Sequence, residues 1–143
     1  MTENALILDE ASQNRLATGI SDYRAPRINK LRRGGVKLAY SKVLELLARR
    51  FEIGIRRRAT LFSGHTMTVV FPEPTSLAVS RYGFYEEGLT RMVLKYLKPD
   101  MTFLDVGAHV GYFTILGSWL VGSGGQVHSF EPTPSTFEVL RFN

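Results

Sequence analysis

No cysteine occurs in the 143 residues, which excludes disulfide frameworks and thiolate metal sites. No apolar run approaches the length of a membrane span. The opening M-T-E-N-A-L-I-L-D-E has four apolar residues between acids and lacks the basic start of a signal sequence, so a cytoplasmic location is expected. Long biased tracts are missing too. With 44% hydrophobic and 22% charged residues, the composition is that of a soluble globular chain rather than a disordered one.

Acidic charge is scarce at the front. Residues 1–60 hold 13 Lys/Arg against 6 Asp/Glu, whereas residues 61–143 hold 5 against 7. No aromatic residues interleave with the basic ones as stacking platforms, so a solvated basic face is expected there and no nucleic-acid partner.

Residues 1–58 read as a basic, mostly helical extension. The first 35 are weakly patterned, with Leu6, Ile7, Leu8 and Leu16 as apolar anchors, and Arg32-Arg33-Gly34-Gly35 reads as a breaker. After it, Val36, Ala39, Tyr40, Val43, Leu46, Leu47 and Phe51 recur at helical spacing and predict a core-covering face. Lys37, Lys42, Glu45 and Arg49 fall on the other side. Arg56-Arg57-Arg58 just beyond leaves a weak membrane-surface contact open.

Residues 59–143 change character. Alternation from Leu61 to Phe71 predicts a β-hairpin turning at Gly64, with His65 in the turn and Pro72 and Pro74 ending the second strand. Leu77–Tyr82 suggests a third short strand. Leu89, Met92, Val93, Tyr96 and Leu97 form one helical stripe, with Glu86 and Glu87 in the first turn, Lys95 and Lys98 near the end, and Pro99 as the stop.

The stretch that organises the rest is Met101–Glu131. Thr102–Val106 lacks alternation, as expected of a parallel strand covered on both faces. Gly107–Gly111 forms a turn, Gly111 permitting close approach of a ligand or strand. An apolar helix follows, buried nearly all round, with Val110, Phe113, Leu116, Gly117, Leu120 and Val121 toward the sheet. Gly122–Gly125 returns the chain to a second strand, Gln126–Phe130, where His128 is expected in the core. Pro134 and Ser135-Thr-Phe-Glu138 read as a helix start with a capping box.

This order places a ligand beyond the carboxyl ends of the strands. Glu131, 26 positions after Asp105, can accept two hydrogen bonds from a ribose diol. A dinucleotide turn needs a glycine where this chain has His109, so a nucleoside carrying an amino acid, S-adenosylmethionine, fits better than a pyrophosphate.

The run F-L-D-V-G-A-H-V-G-Y-F-T, followed by V-H-S-F-E-P-T-P and preceded by Y-E-E and L-K-P-D, resembles FkbM-type methyltransferases over about residues 82–143. The resemblance implies the Rossmann-like class I methyltransferase fold and S-adenosylmethionine-dependent O-methylation of a hydroxyl on a sugar or other natural product. The partner would be a small-molecule or glycan acceptor. Asp105, Gly107 and Gly111 would then line the methionine end of the cofactor, with Ala108 and His109 between them on the turn. Glu131 would hold the ribose, and Glu86 would come near the same pocket. The family usually carries Asn where His109 stands.

The 39 residues from Asp105 to Asn143 supply only two strands of that larger sheet, so the α/β domain is expected to be truncated after its second parallel strand and inactive alone. No catalytic residue and no metal ligand is assigned. Two other readings remain. One is a fragment of an NAD-dependent oxidoreductase or epimerase, and the other a non-catalytic basic module binding nucleic acid or anionic lipid through residues 24–58.

Overall fold

The computed structural model describes residues 8–143, except for the side chains of residues 27, 28, 30–34 and 37. Leu6 and Ile7, expected as anchors, lie outside the described residues. The fold is α/β, with six α-helices and two small sheets among the described residues, one antiparallel and one parallel. The chain divides into two compact units, one running from Ala11 to Tyr85 and the other from Glu86 to Asn143 together with the described residues before Ala11.

The first unit holds α1 (Glu10–Arg24), α2 (Arg27–Phe51), β1 (Ile55–Thr60), β2 (Thr66–Phe71) and α3 (Pro74–Tyr82). The extension is helical, with regular helix through the weakly patterned residues from Glu10 onward, and α2 passes straight through Gly34-Gly35, which reads in the sequence as a breaker. A glycine inside a helix costs about 1 kcal/mol relative to alanine, which weakens a helix of 25 residues without breaking it. The hairpin turns around Gly64, at φ 87°, as expected, but its first strand lies earlier than the alternation suggests and crosses the expected boundary at residue 58, pairing Ile55 with Phe71 through Thr60 with Thr66. Met67, Val69 and Phe71 point into the core.

Two readings are overturned here. Leu77–Tyr82 is helix, because Glu73 caps α3 through carboxylate hydrogen bonds from the Thr75 and Ser76 N–H groups, both 2.6 Å, and Pro74 occupies the first helical turn. Helix α2 is also rotated from its expected orientation. Its buried face is Ser41, Leu44, Glu45 and Ala48, whereas Tyr40, Val43, Leu46 and Phe51 are more than half exposed. The small Ser41 and Ala48 let α3 lie close, and Arg81 on α3 then donates to Ser41 Oγ at 2.9 Å and to Glu45 Oε2 at 3.0 Å. Burial by itself raises the Glu45 pKa, but hydrogen bonds and charge from Lys42 and Arg81 outweigh it and hold the carboxyl below its ordinary value.

The second unit runs α4 (Glu87–Tyr96), β3 (Thr102–Val106), α5 (Tyr112–Val121), a short 3-10 turn (Gly122–Gly124), β4 (Gln126–Phe130) and α6 (Pro134–Phe142). Strands β3 and β4 pair in parallel from Thr102 with Gln126 to Val106 with Phe130. Strand residues alternate between faces. Phe103, Asp105, Val127 and Ser129 share the partly covered side that meets α5, while Leu104, Val106, His128 and Phe130 share the other. That second side is bare, Val106 being 80% exposed, so β3 is not covered on both faces and His128 is not a core residue. One helix shields one face of a two-stranded sheet, and among the described residues no second layer covers the other.

Helix α5 buries Tyr112, Leu116, Gly117, Leu120 and Val121 and leaves Ser118 exposed, so its burial is extensive but not complete. The Tyr112 hydroxyl meets Thr90 Oγ1 of α4 at 3.0 Å, both side chains being fully buried. The cap of α6 is Thr133 rather than Ser135, since Pro134 already occupies the first helical position.

Candidate functional site

The strand order of the second unit brings the carboxyl ends of β3 and β4 side by side, and the turn Gly107–Gly111 leaves from one of them. Three consecutive N–H groups of that turn are directed at the end of β4. Those of Gly107 and Ala108 donate to the Phe130 carbonyl at 2.8 and 3.0 Å, and that of His109 donates to Glu131 Oε2 at 3.0 Å. The other Glu131 oxygen accepts the Thr133 N–H at 2.9 Å. Glu131 therefore ties the first loop to the second. The Thr133 hydrogen bonds lead in lowering its pKa, with the His109 N–H adding to them, so the group is a carboxylate at neutral pH.

Glu131 thus has a structural duty that its position in the sequence does not reveal. A carboxylate offers about four lone-pair positions, and the His109 N–H, the Thr133 N–H and the Thr133 hydroxyl leave about one of them open.

Asp105 is oriented differently from the expectation. By strand alternation it points toward α5, where its carboxylate accepts a hydrogen bond from Thr114 Oγ1 at 2.6 Å. The Thr114 hydroxyl also lies 2.8 Å from Ser129 Oγ. Thr114 has one hydroxyl proton and gives it to Asp105, so Ser129 is the donor in the second contact. The relay runs Ser129, Thr114, Asp105 and fastens the first turn of α5 to both strands. Desolvation raises the Asp105 pKa, and the Thr114 hydrogen bonds only partly offset it.

The two glycines have different neighbours. At Gly107, φ is 80° and a Cβ would meet nothing within 4 Å, so space is open beyond the end of β3. At Gly111, φ is 92° and a Cβ would stand 2.8 Å from Leu140 Cδ1. The body admitted by Gly111 is α6, not a ligand. Asn143 fixes α6 there by donating from Nδ2 to the Val110 carbonyl at 2.7 Å.

Ala108 is buried and His109 adopts φ 54°, a left-handed conformation that histidine tolerates better than most residues. Glu86 also has a positive φ, 44°, at the start of α4. Its carbonyl accepts the Thr90 N–H, its side chain is exposed, and no hydrogen bond joins it to the turn among the described residues. The structure therefore brings together Gly107, Ala108, His109 and Glu131, sets Asp105 behind them, places Gly111 under α6 and leaves Glu86 outside this hydrogen-bonded group.

Thr114, Ser129 and Leu140 are absent from the sequence-based set. Thr114 had a signal, being one of the two side-chain hydroxyls besides Tyr112 in an otherwise apolar helix and lying on the turn nearest the strand. Ser129 and Leu140 had none until register and packing were known.

Among the described residues no group of three or more His, Cys, Asp or Glu could hold a metal ion, and no helix is long and apolar enough to cross a membrane. Comparison with protein families, with curated proteins and with solved structures finds no match to this chain.

Proposed function

We propose that this chain carries the cofactor-binding front of a Rossmann-like class I O-methyltransferase of the FkbM type, using S-adenosylmethionine and acting on a hydroxyl of a sugar or natural product. The observation that carries this reading is the engagement of the turn. A pyrophosphate needs free N–H groups converging on it, yet Gly107, Ala108 and His109 all donate within the protein. The charge at the end of β4 is negative. Such a rim suits a cationic sulfonium nucleoside, and it is the engaged turn that disfavours a pyrophosphate, since a carboxylate at this strand end can hold the ribose of either ligand.

The roles follow from the chain's own atoms. Glu131 accepts a ribose hydroxyl at its open lone-pair position while its bonds to His109 and Thr133 hold it still. Gly107 leaves room for the amino-acid arm beyond β3. S-adenosylmethionine supplies an activated methyl group, and the protein's part is to align the acceptor oxygen with it and exclude water. Asp105 acts at one remove, by setting where α5 begins.

An NMR titration of the 15N-labelled chain with S-adenosylhomocysteine tests this reading, because it detects even weak binding by part of a site. The expected result is shifts confined to the amides around Gly107, His109 and Glu131. Glu131→Ala should weaken the response on the order of thirtyfold. Silence at millimolar ligand, or stronger shifts with NAD at the same amides, would reject the proposal.

A further inference from the structure

Helix α2 exposes a stripe that its packing does not use. Val36, Tyr40, Val43, Leu47 and Phe51 follow one another at spacings of three and four residues, which gathers them into about 80° of the helix circumference. All five are exposed, from 42% for Leu47 to 87% for Val36. Isolated exposed apolar side chains are ordinary, but a contiguous strip of this kind marks an interaction surface.

The rim identifies what it meets. Arg50 stands over the Phe51 ring, 5.8 Å from its centroid, and Arg57 of β1 donates to the Tyr40 hydroxyl at 3.2 Å. Arg56 and Arg58 are exposed on the opposite face of the hairpin. The sequence of α2 carries eight Lys or Arg and one acid, Glu45, which is buried and paired with Arg81. Glu52 at the C-cap is the exposed acid nearest the stripe in sequence.

A nucleic acid would engage the arginines and leave valine and leucine in water. A second copy of the same stripe would cover the apolar residues but offer Arg50 and Arg57 no acid from α2, whose one acid, Glu45, is buried. A surface that offers hydrocarbon below and negative charge above satisfies both features at once.

We propose that this face of α2 docks on an anionic lipid surface, with the apolar stripe at the acyl boundary and Arg50 and Arg57 against the headgroups. This goes beyond the methyltransferase reading and rests on the Ala11–Tyr85 unit alone.

Flotation with vesicles tests it. The chain should float with phosphatidylcholine vesicles containing phosphatidylserine and not with phosphatidylcholine alone. The double variant Val43→Asp, Leu47→Asp should lose at least about tenfold in vesicle affinity while its circular dichroism stays unchanged, since both sites are solvent-facing. Arg50→Gln with Arg57→Gln should lose the salt-sensitive part of binding. The proposal fails if the chain does not float with the mixed vesicles, or if the aspartate variant floats equally well. It also fails if that variant only converts a dimer to a monomer, or if an oligonucleotide displaces the vesicles and binds indifferently to Leu47→Asp.

Discussion

Gly107 and Gly111 have the same backbone hand, φ 80° and 92°, but different surroundings. Alanine at 107 meets only the backbone penalty of a left-handed residue, about 1 to 2 kcal/mol. Alanine at 111 adds the contact with Leu140, which α6 must yield to accommodate, so Gly111→Ala should cost about 3 kcal/mol or more. Urea unfolding of the two variants decides this, and equal losses would contradict the packing of α6 described above. The glycine spacing itself was legible in the sequence. Its cause at Gly111 was not, because Leu140 lies 29 positions on and reaches the turn only through the fold.

At the scale of elements, periodicity located helices and strands better than it oriented them. β3, β4 and the second hairpin strand stand where their patterns placed them, whereas the first hairpin strand, Ile55–Thr60, begins inside the segment read as helical extension. The face of α2 was misjudged because hydrophobicity was read as burial, whereas α3 selected the small residues Ser41 and Ala48 and a buried ion pair instead. That clamp is testable. Arg81→Met removes the partner of a nearly buried carboxylate and its bond to Ser41, and should destabilise the chain by about 2 kcal/mol in thermal or urea unfolding. A loss near zero would mean that Lys42 and Arg49 suffice to hold Glu45. The strand expected at Leu77–Tyr82 failed for a plainer reason: Glu73-Pro74 is a helix start, and its capping geometry outranks the β-branched content that follows.

At the scale of the whole molecule, acid stability reflects two carboxylates of opposite habit. Glu45 has a lowered native pKa, so its contribution is fully present above the ordinary value of 4.5 and is lost as pH falls through the native one. Asp105 has a raised native pKa, so its contribution is fully present below 3.8 and is lost as pH rises through its native value. Thermal melts across the acid range should show Glu45→Gln flattening the loss of stability in acid. Asp105→Asn, which keeps an acceptor for Thr114, should gain on the wild type as pH rises. An Asp105→Asn variant that gains only in acid would contradict the buried relay. The net charge of +5 adds self-repulsion as the remaining acids protonate, so the wild type as a whole should weaken on acidification.

By itself the sequence determined the succession of elements in the second unit, the parallel pairing implied by a strand-helix-strand order, and the placement of a carboxylate at the end of β4. These follow from local chemistry: glycine at positive φ, β-rich runs of strand length, proline at helix starts. The tertiary structure alone decided which way each side chain is used. It turned Asp105 toward Thr114, joined Glu131 to the amides of His109 and Thr133, seated α6 on Gly111 and left the apolar stripe of α2 facing outward. Those outcomes depend on contacts between residues distant in the chain, where the best-packed arrangement of all faces together prevails over the preference of any one.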